Sequence, residues 1–256
     1  MPFFDGPRGR LHHRHWPAPD AVASVALLPG IGQHSGHYHR FARVLNAAHI
    51  DLWTLDTAGH GLSEGDARHP GTLPELSRDA QTFLAQIRPT PLILMGHSLG
   101  AATALALIGA CPALVPPAAT PPPVSALILC GTPKTILRGA PPVSTRTAPA
   151  ARTAPSAGNR GAQSARSTPA AADPRAAHVA PAGPGPEPQL PGTLPTLVVH
   201  GTDDRRAPVD VVRAWVRHQP RADYREYRDA GHDLLHEPVH TEVASDIVTW
   251  IEELAR

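Results

Sequence analysis

The chain has 256 residues, a formal net charge of +1 and 41% hydrophobic residues, enough for one substantial α/β domain with room for an insertion. A near-neutral balance with no basic run gives no electrostatic footprint for nucleic acid. Two cysteines, Cys111 and Cys130, make no disulfide framework and read as buried free thiols.

Met1 to Trp16 has no apolar core and carries Arg8, Arg10 and Arg14, so it does not read as a secretory signal. Arg10 to Trp16 is expected to be a strand of an early hairpin, and Val22 to Leu28, closed by Pro29-Gly30, a buried strand. Tyr38, Phe41, Ala42 and Leu45 recur at helical spacing; Ile50 to Leu55 reads as a strand. Leu73 to Ile87 is expected to be a helix with Leu76, Ala80, Phe83, Leu84 and Ile87 on one face. Leu92 to Met95 is a strand, followed by the apolar stretch Leu99 to Val115. That stretch is broken by Gly100, Gly109 and Pro112 and falls at or below the roughly 17–25 residues that span a bilayer. It reads as a helix buried on most sides, and the protein as soluble and cytoplasmic. Strands at Val124–Leu129, Leu197–His200 and Tyr224–Tyr227 and helices at Val209–Val216 and Thr241–Leu254 complete the series. Alternating strands and helices predict an α/β fold, a mostly parallel sheet flanked by helices.

Of the 31 prolines, 19 lie between Pro112 and Pro195. From Arg138 to Gln189 the only large aliphatic residues are Val143 and Val179, and aromatics are absent. Such a segment buries too little apolar area to offset an ordering cost of about 1–2 kcal/mol per residue. Residues 135–193 are therefore expected to be a disordered or irregular Pro/Ala-rich insertion within a single domain spanning 1–256. Each doubling of loop length costs only about 0.6 kcal/mol, so the fold tolerates it.

Gly96-His97-Ser98-Leu99-Gly100 sits between an apolar strand and an apolar helix, the setting of a nucleophile elbow. Small residues flank a turn too sharp for side chains, and Ser98 stands at a helix amino terminus, where developing negative charge is favoured. A serine nucleophile needs a base and an orienting acid. Downstream, a strand ends in His200-Gly201-Thr202-Asp203-Asp204, and another leads to Ala230-Gly231-His232-Asp233. The order Ser, Asp, His is the one this fold requires. His232 is the candidate base; Asp203 and Asp204 are both candidate acids, since adjacent side chains cannot both face it. The oxyanion hole is expected to take the N–H of Leu99 and a second from the Pro29-Gly30-Ile31-Gly32 loop, with Ile31 as donor.

These stretches, with Gln33-His34-Ser35-Gly36-His37-Tyr38, Asp56-Thr57-Ala58-Gly59-His60-Gly61-Leu62-Ser63-Glu64-Gly65 and His232-Asp233-Leu234-Leu235-His236-Glu237, resemble the monoacylglycerol lipase and lysophospholipase branch of the α/β hydrolases, the serine aminopeptidase S33-like enzymes. The resemblance covers about residues 10–130 and 194–256. It implies a serine esterase or lipase with a Ser98–His232–Asp204 triad, because the acid in this family is the third residue after the glycine. It also implies a small-molecule ester or lipid substrate, in the monoacylglycerol or lysophospholipid class or with a short acyl chain, and no metal or organic cofactor. Family members usually have His-Gly at Pro29-Gly30 and Glu at Gln33. The family's helical cap falls where this chain has its Pro/Ala-rich insertion, so substrate class is the least constrained feature and short acyl chains are favoured. Uncovered apolar surface would suit peripheral membrane contact or dimerisation equally.

Rival readings are weaker. Gly30-Ile31-Gly32 resembles a dinucleotide loop with Asp56 as ribose acid, but Ser35 stands where the third glycine is required. His12, His13 and His15 invite a metal site, but only His13 and His15 share a face, and surface histidines are expected. His34, His37 and His60 are expected to make structural hydrogen bonds. A non-catalytic binding protein on this fold, with a degenerate cap, is the alternative from another class; an acyltransferase or peptidase could use the same triad.

Overall fold

Strands buried on both faces carry continuous apolar runs, because helices cover either side of a parallel sheet. Four such runs are buried throughout: Ala23–Leu28, Leu92–His97, Ala126–Cys130 and Thr196–Gly201. They form the centre of the fold in a computed structural model that describes residues 2–87, 91–115, 123–141 and 185–254. In chain order the strands are β1 (Phe3–Gly6), β2 (Gly9–Trp16), β3 (Ala23–Leu28), β4 (Ile50–Leu55), β5 (Leu92–His97), β6 (Ala126–Cys130), β7 (Thr196–Gly201) and β8 (Ala222–Tyr227). The helices are α1 (His39–Ala47), α2 (Leu73–Leu84), α3 (Leu99–Leu107), α4 (Lys134–Leu137), α5 (Val209–Val216) and α6 (His240–Leu254), with a 3-10 turn at Ser35–Tyr38 before α1.

The strands make one sheet in the order β1-β2-β4-β3-β5-β6-β7-β8. The β1–β2 hairpin is antiparallel and joins antiparallel to β4; β4, β3, β5, β6, β7 and β8 are parallel. This is the α/β-hydrolase arrangement, a mostly parallel sheet flanked by helices. Alternation along each strand splits the core in two. Val25, Leu27, Ile93 and Met95 pack with Phe41 of α1 and Ile247 and Trp250 of α6. Ala26, Leu28, Leu94 and Leu127 pack with Phe83 of α2, Leu105 of α3 and Trp215 of α5. Strand order reverses between β3 and β5, so the loops after their carboxyl ends open a crevice, where such sheets place their sites.

Two helices are shorter than the apolar pattern predicts. α2 starts on a Thr72–Glu75 capping box and ends at Leu84, after which Gln86 and Ile87 N–H groups turn back to Phe83 and Leu84. The last turn tightens to i→i+3 spacing there, a common helix ending. α3 is buried at all nine positions but stops at Leu107, because Gly109 adopts φ +78° and releases the chain from the helix. The expectation of surface histidines at 12, 13 and 15 is corrected in part: His12 and His13 are only 4% and 8% exposed. β2 is an interior strand, so His12 faces Asp56 across it, whereas His13 and His15 both stack on Trp53 of β4.

The cysteines are free and buried, as expected, and burial pushes the Cys111 thiol up to about 12. Most of the insertion expected at 135–193, namely residues 142–184, lies outside the described residues. At its ends, Lys134–Leu137 forms α4. Pro188 carbonyl accepts from Trp215 Nε1 at 2.8 Å, and the Leu190 N–H donates to Gln219 Oε1 at 3.0 Å. No helix among the described residues is long and apolar enough to cross a membrane.

Candidate active site

Ser98 sits between β5 and α3 with φ +52° and ψ −112°, a backbone conformation that side chains rarely adopt. Its surroundings enforce that conformation. A Cβ at Gly100 would stand 1.8 Å from the Leu28 carbonyl, and one at Gly96 would stand 2.4 Å from the Gly100 carbonyl. The helix thus packs directly on β3 and on the strand that precedes it. The Ser98 N–H donates to the Cys130 carbonyl at 2.9 Å, tying the elbow to β6. Leu99 is the first residue of α3, a position whose N–H has no acceptor within the helix.

His232 lies in the loop after β8, with Nε2 at 2.8 Å from Ser98 Oγ and Nδ1 at 2.7 Å from Asp204 Oδ2. A carboxylate only accepts, so Nδ1 carries the proton and Nε2 is left to accept from the serine hydroxyl. Asp204 is 3% exposed. Its Oδ1 accepts from the Arg206 and Ala207 N–H groups at 2.8 and 2.9 Å. Burial alone would raise this carboxyl, but the His232 and Ala207 hydrogen bonds outweigh it and hold Asp204 below the usual carboxylate range. Asp203 is exposed and turned away, with Oδ1 accepting from the Thr202 hydroxyl.

The β3 loop, Pro29 to Gln33, is closed by the Gln33 N–H donating to the Gly30 carbonyl at 3.1 Å, with Gly32 at φ +77°. Ile31 is at its tip, 37% exposed. Gln33 joins this loop to the others. Its Oε1 accepts from the Tyr38 hydroxyl at 2.6 Å and the Gly30 N–H at 3.2 Å, and its Nε2 donates to Asp233 Oδ1 at 3.0 Å. His97, next to Ser98, has Nδ1 2.8 Å from the same Gln33 Oε1 and Nε2 3.0 Å from the His232 carbonyl. Burial, reinforced by the neighbouring His232, pushes His97 down to about 4.

Two side chains to which sequence reasoning gave no role support this core: Gln33 and Glu237. Glu237 accepts from the N–H groups on either side of His232, Gly231 at 2.5 Å and Asp233 at 2.9 Å. His232 is therefore presented by a loop gripped at both flanks. Glu237 stood within the family-like stretch His232–Glu237, but no spacing rule revealed which N–H groups it would reach.

Asp56, directly after β4, is taken up by backbone N–H groups and His12. Its carboxylate accepts from the Ser35 N–H at 2.6 Å, the Leu62 N–H at 3.0 Å and His12 Nδ1 at 2.8 Å. Burial pushes Asp56 up, but the Leu62, Ser35 and His12 hydrogen bonds prevail and hold it below its ordinary value. His34 Nδ1 accepts from the Gly36 N–H at 3.1 Å, His37 Nδ1 accepts from the His34 N–H at 3.4 Å, and His60 Nδ1 lies 3.2 Å from the Ala58 carbonyl. Among the described residues no group of three or more His, Cys, Asp or Glu side chains is arranged to hold a metal ion.

With this geometry in place, likeness to known proteins is informative. A family profile described as serine aminopeptidase, S33 matches residues 19–173. A monoacylglycerol lipase of Mycolicibacterium smegmatis is 30% identical over 268 aligned positions, covering 94% of this chain and 92% of that protein. Among solved structures, a monoacylglycerol lipase from Paleococcus ferrophilus aligns with TM-score 0.62 at 18% identity, over 95% of this chain and 99% of its own. A soluble variant of monoglyceride lipase from Saccharomyces cerevisiae aligns with TM-score 0.64 at 14% identity, over 98% and 96%. At those identities the two structures speak to the fold alone.

Proposed function

The chain belongs to the serine aminopeptidase S33 family, in its monoacylglycerol lipase-like branch of α/β hydrolases, and from that premise we propose that it is a serine hydrolase of carboxylic esters working through an acyl-enzyme on Ser98. The observation that carries this reading is the continuous chain from Ser98 Oγ through His232 to Asp204, with contacts of 2.8 and 2.7 Å. His232 Nε2 takes the serine proton as Oγ attacks the ester carbonyl, and Asp204 holds the ring in the required tautomer and stabilises the imidazolium. The N–H groups of Leu99 and Ile31 receive the oxyanion, each such donor being worth about 2.7–4 kcal/mol in the transition state. The imidazolium then protonates the leaving alcohol, and water activated by His232 releases the acid.

Substrates of the monoacylglycerol or lysophospholipid class fit best. The Mycolicibacterium relative is named a monoacylglycerol lipase, and Ile31 and Leu62, 37% and 62% exposed, present apolar side chains on the loops after β3 and β4. The same side chains suit peripheral contact with a lipid aggregate. The test is a series of p-nitrophenyl esters and monoacylglycerols of rising chain length, with fluorophosphonate labelling in parallel. Turnover and labelling should both require Ser98. A folded wild-type protein that neither labels nor turns over any ester would refute the enzyme reading in favour of a binding protein.

A further inference from the structure

His200, the penultimate residue of β7, is 0% exposed and belongs to no step of the reaction above. Its Nε2 lies 2.7 Å from the Ala207 carbonyl and 3.5 Å from Asp204 Oδ2, both acceptors, so Nε2 bears the hydrogen. Its Nδ1 is buried and has no hydrogen-bond partner among the described residues. A buried imidazole satisfied at one nitrogen only is disfavoured relative to an apolar side chain, and the preceding β7 residues, Val198 and Val199, show what this strand otherwise accepts. Whatever His200 contributes must therefore act through Nε2–H.

We propose that His200 is a positioning residue for the acid of the triad: its Nε2–H closes the 204–207 turn through the Ala207 carbonyl and lays a positive dipole end against the Asp204 oxygen that receives His232. The inference rests on the Ser98–His232–Asp204 reading and deepens it. Asp204 Oδ1 is already held by two backbone N–H groups, whereas Oδ2 meets His232 and His200. Removing the His200 N–H leaves Oδ2 more basic, so it stabilises the His232 imidazolium more strongly in the resting enzyme and places it less well. The groups facing His200 are Asp204, His232 and Glu226, its register partner on β8, which is paired with Arg213. Burial pushes His200 below the ordinary histidine range, so it is neutral at working pH.

The experiment compares full-length wild type, His200→Leu and His200→Gln, since a glutamine amide can place an N–H near the position of Nε2. For His200→Leu, kcat should fall roughly tenfold, and the acidic limb of kcat/KM should move to higher pH by roughly half a unit, the sign expected when a positive dipole end beside the charged acid is lost. His200→Gln should return the limb toward wild type. A purely structural role would lower melting temperature and activity without moving the limb, and that outcome, or a wild-type profile for His200→Leu, overturns the proposal. Should His200→Leu not fold, ¹⁵N-histidine NMR of wild type and His200→Gln decides: His200 must be the neutral Nε2–H tautomer at working pH. An Nδ1–H tautomer refutes the assignment. Fluorophosphonate labelling of wild type reports on the triad separately, so failure of the reaction and failure of the His200 role give different results.

Discussion

The two halves of the site are held by different forces. On the Ser98 side, packing of backbone against backbone sets the geometry: Gly100 lies on the Leu28 carbonyl, Gly96 lies against Gly100, and Ser98 between them adopts φ +52°. On the His232–Asp204 side, polar groups set it. Glu237 grips both flanks of His232, and two N–H groups hold Asp204. Gln33 fastens the β3 loop to Asp233. Steric constraint is nearly indifferent to solvent and pH, whereas hydrogen bonds to carboxylates depend on charge state. A mutation in one half should therefore damage the fold, and one in the other should damage the chemistry.

The largest effect is expected on the polar side. Asp204→Asn should lower kcat by about 10⁴, roughly 5 kcal/mol of transition-state stabilisation, far more than it lowers folding stability. Asp203→Asn, altering an exposed side chain, should leave kcat near wild type; steady-state kinetics on one ester, with thermal melts, reads both. A large loss for Asp203→Asn alone would reverse the assignment of the acid.

Next is the steric side. Gly100→Ala must push α3 away from the Leu28 carbonyl, because its Cβ would lie 1.8 Å from that oxygen. A cost of about 3 kcal/mol is expected, lowering Tm by roughly 6–12 °C. Unchanged melting would show that the elbow is looser than its contacts imply.

The smallest effect is the acid dependence of stability. Asp56 and Asp204 are both held below ordinary carboxylate values. Their contribution is complete above the unfolded value, near pH 4, and drains away as pH falls through the lower folded values. Urea melts at descending pH should show stability falling below about pH 4. Asp56→Asn should cost about 1–2 kcal/mol at neutral pH and flatten that fall. An equally steep fall in the variant would place the acid sensitivity elsewhere.

The same division explains what could be read from sequence. Steric requirements leave local marks: Gly96 and Gly100 around Ser98, continuous apolar runs in β3 and β5, and the ends of β4 and α5 at Ile50–Leu55 and Val209–Val216, where the pattern alone puts them. Polar support is long-range. Gln33 and Asp233 are 200 residues apart, and no periodicity links them. His12 was equally hidden, because its partner Asp56 becomes adjacent only when β2 pairs with β4. Helix ends were overextended at Ile87 and beyond Leu107, since apolar spacing continues past the tightened turn of α2 and past Gly109. The short α4, at the start of the Pro-rich stretch, leaves too few residues for a helical period to register.

The most direct test of the central claim is to trap the covalent intermediate. Wild-type protein mixed with p-nitrophenyl acetate and acid-quenched within the first turnovers should carry the mass of one acetyl group, mapped by peptide sequencing to Ser98, and Ser98→Ala should carry none. Acetylation of another residue in wild type, or turnover by Ser98→Ala at the wild-type rate, would contradict the account.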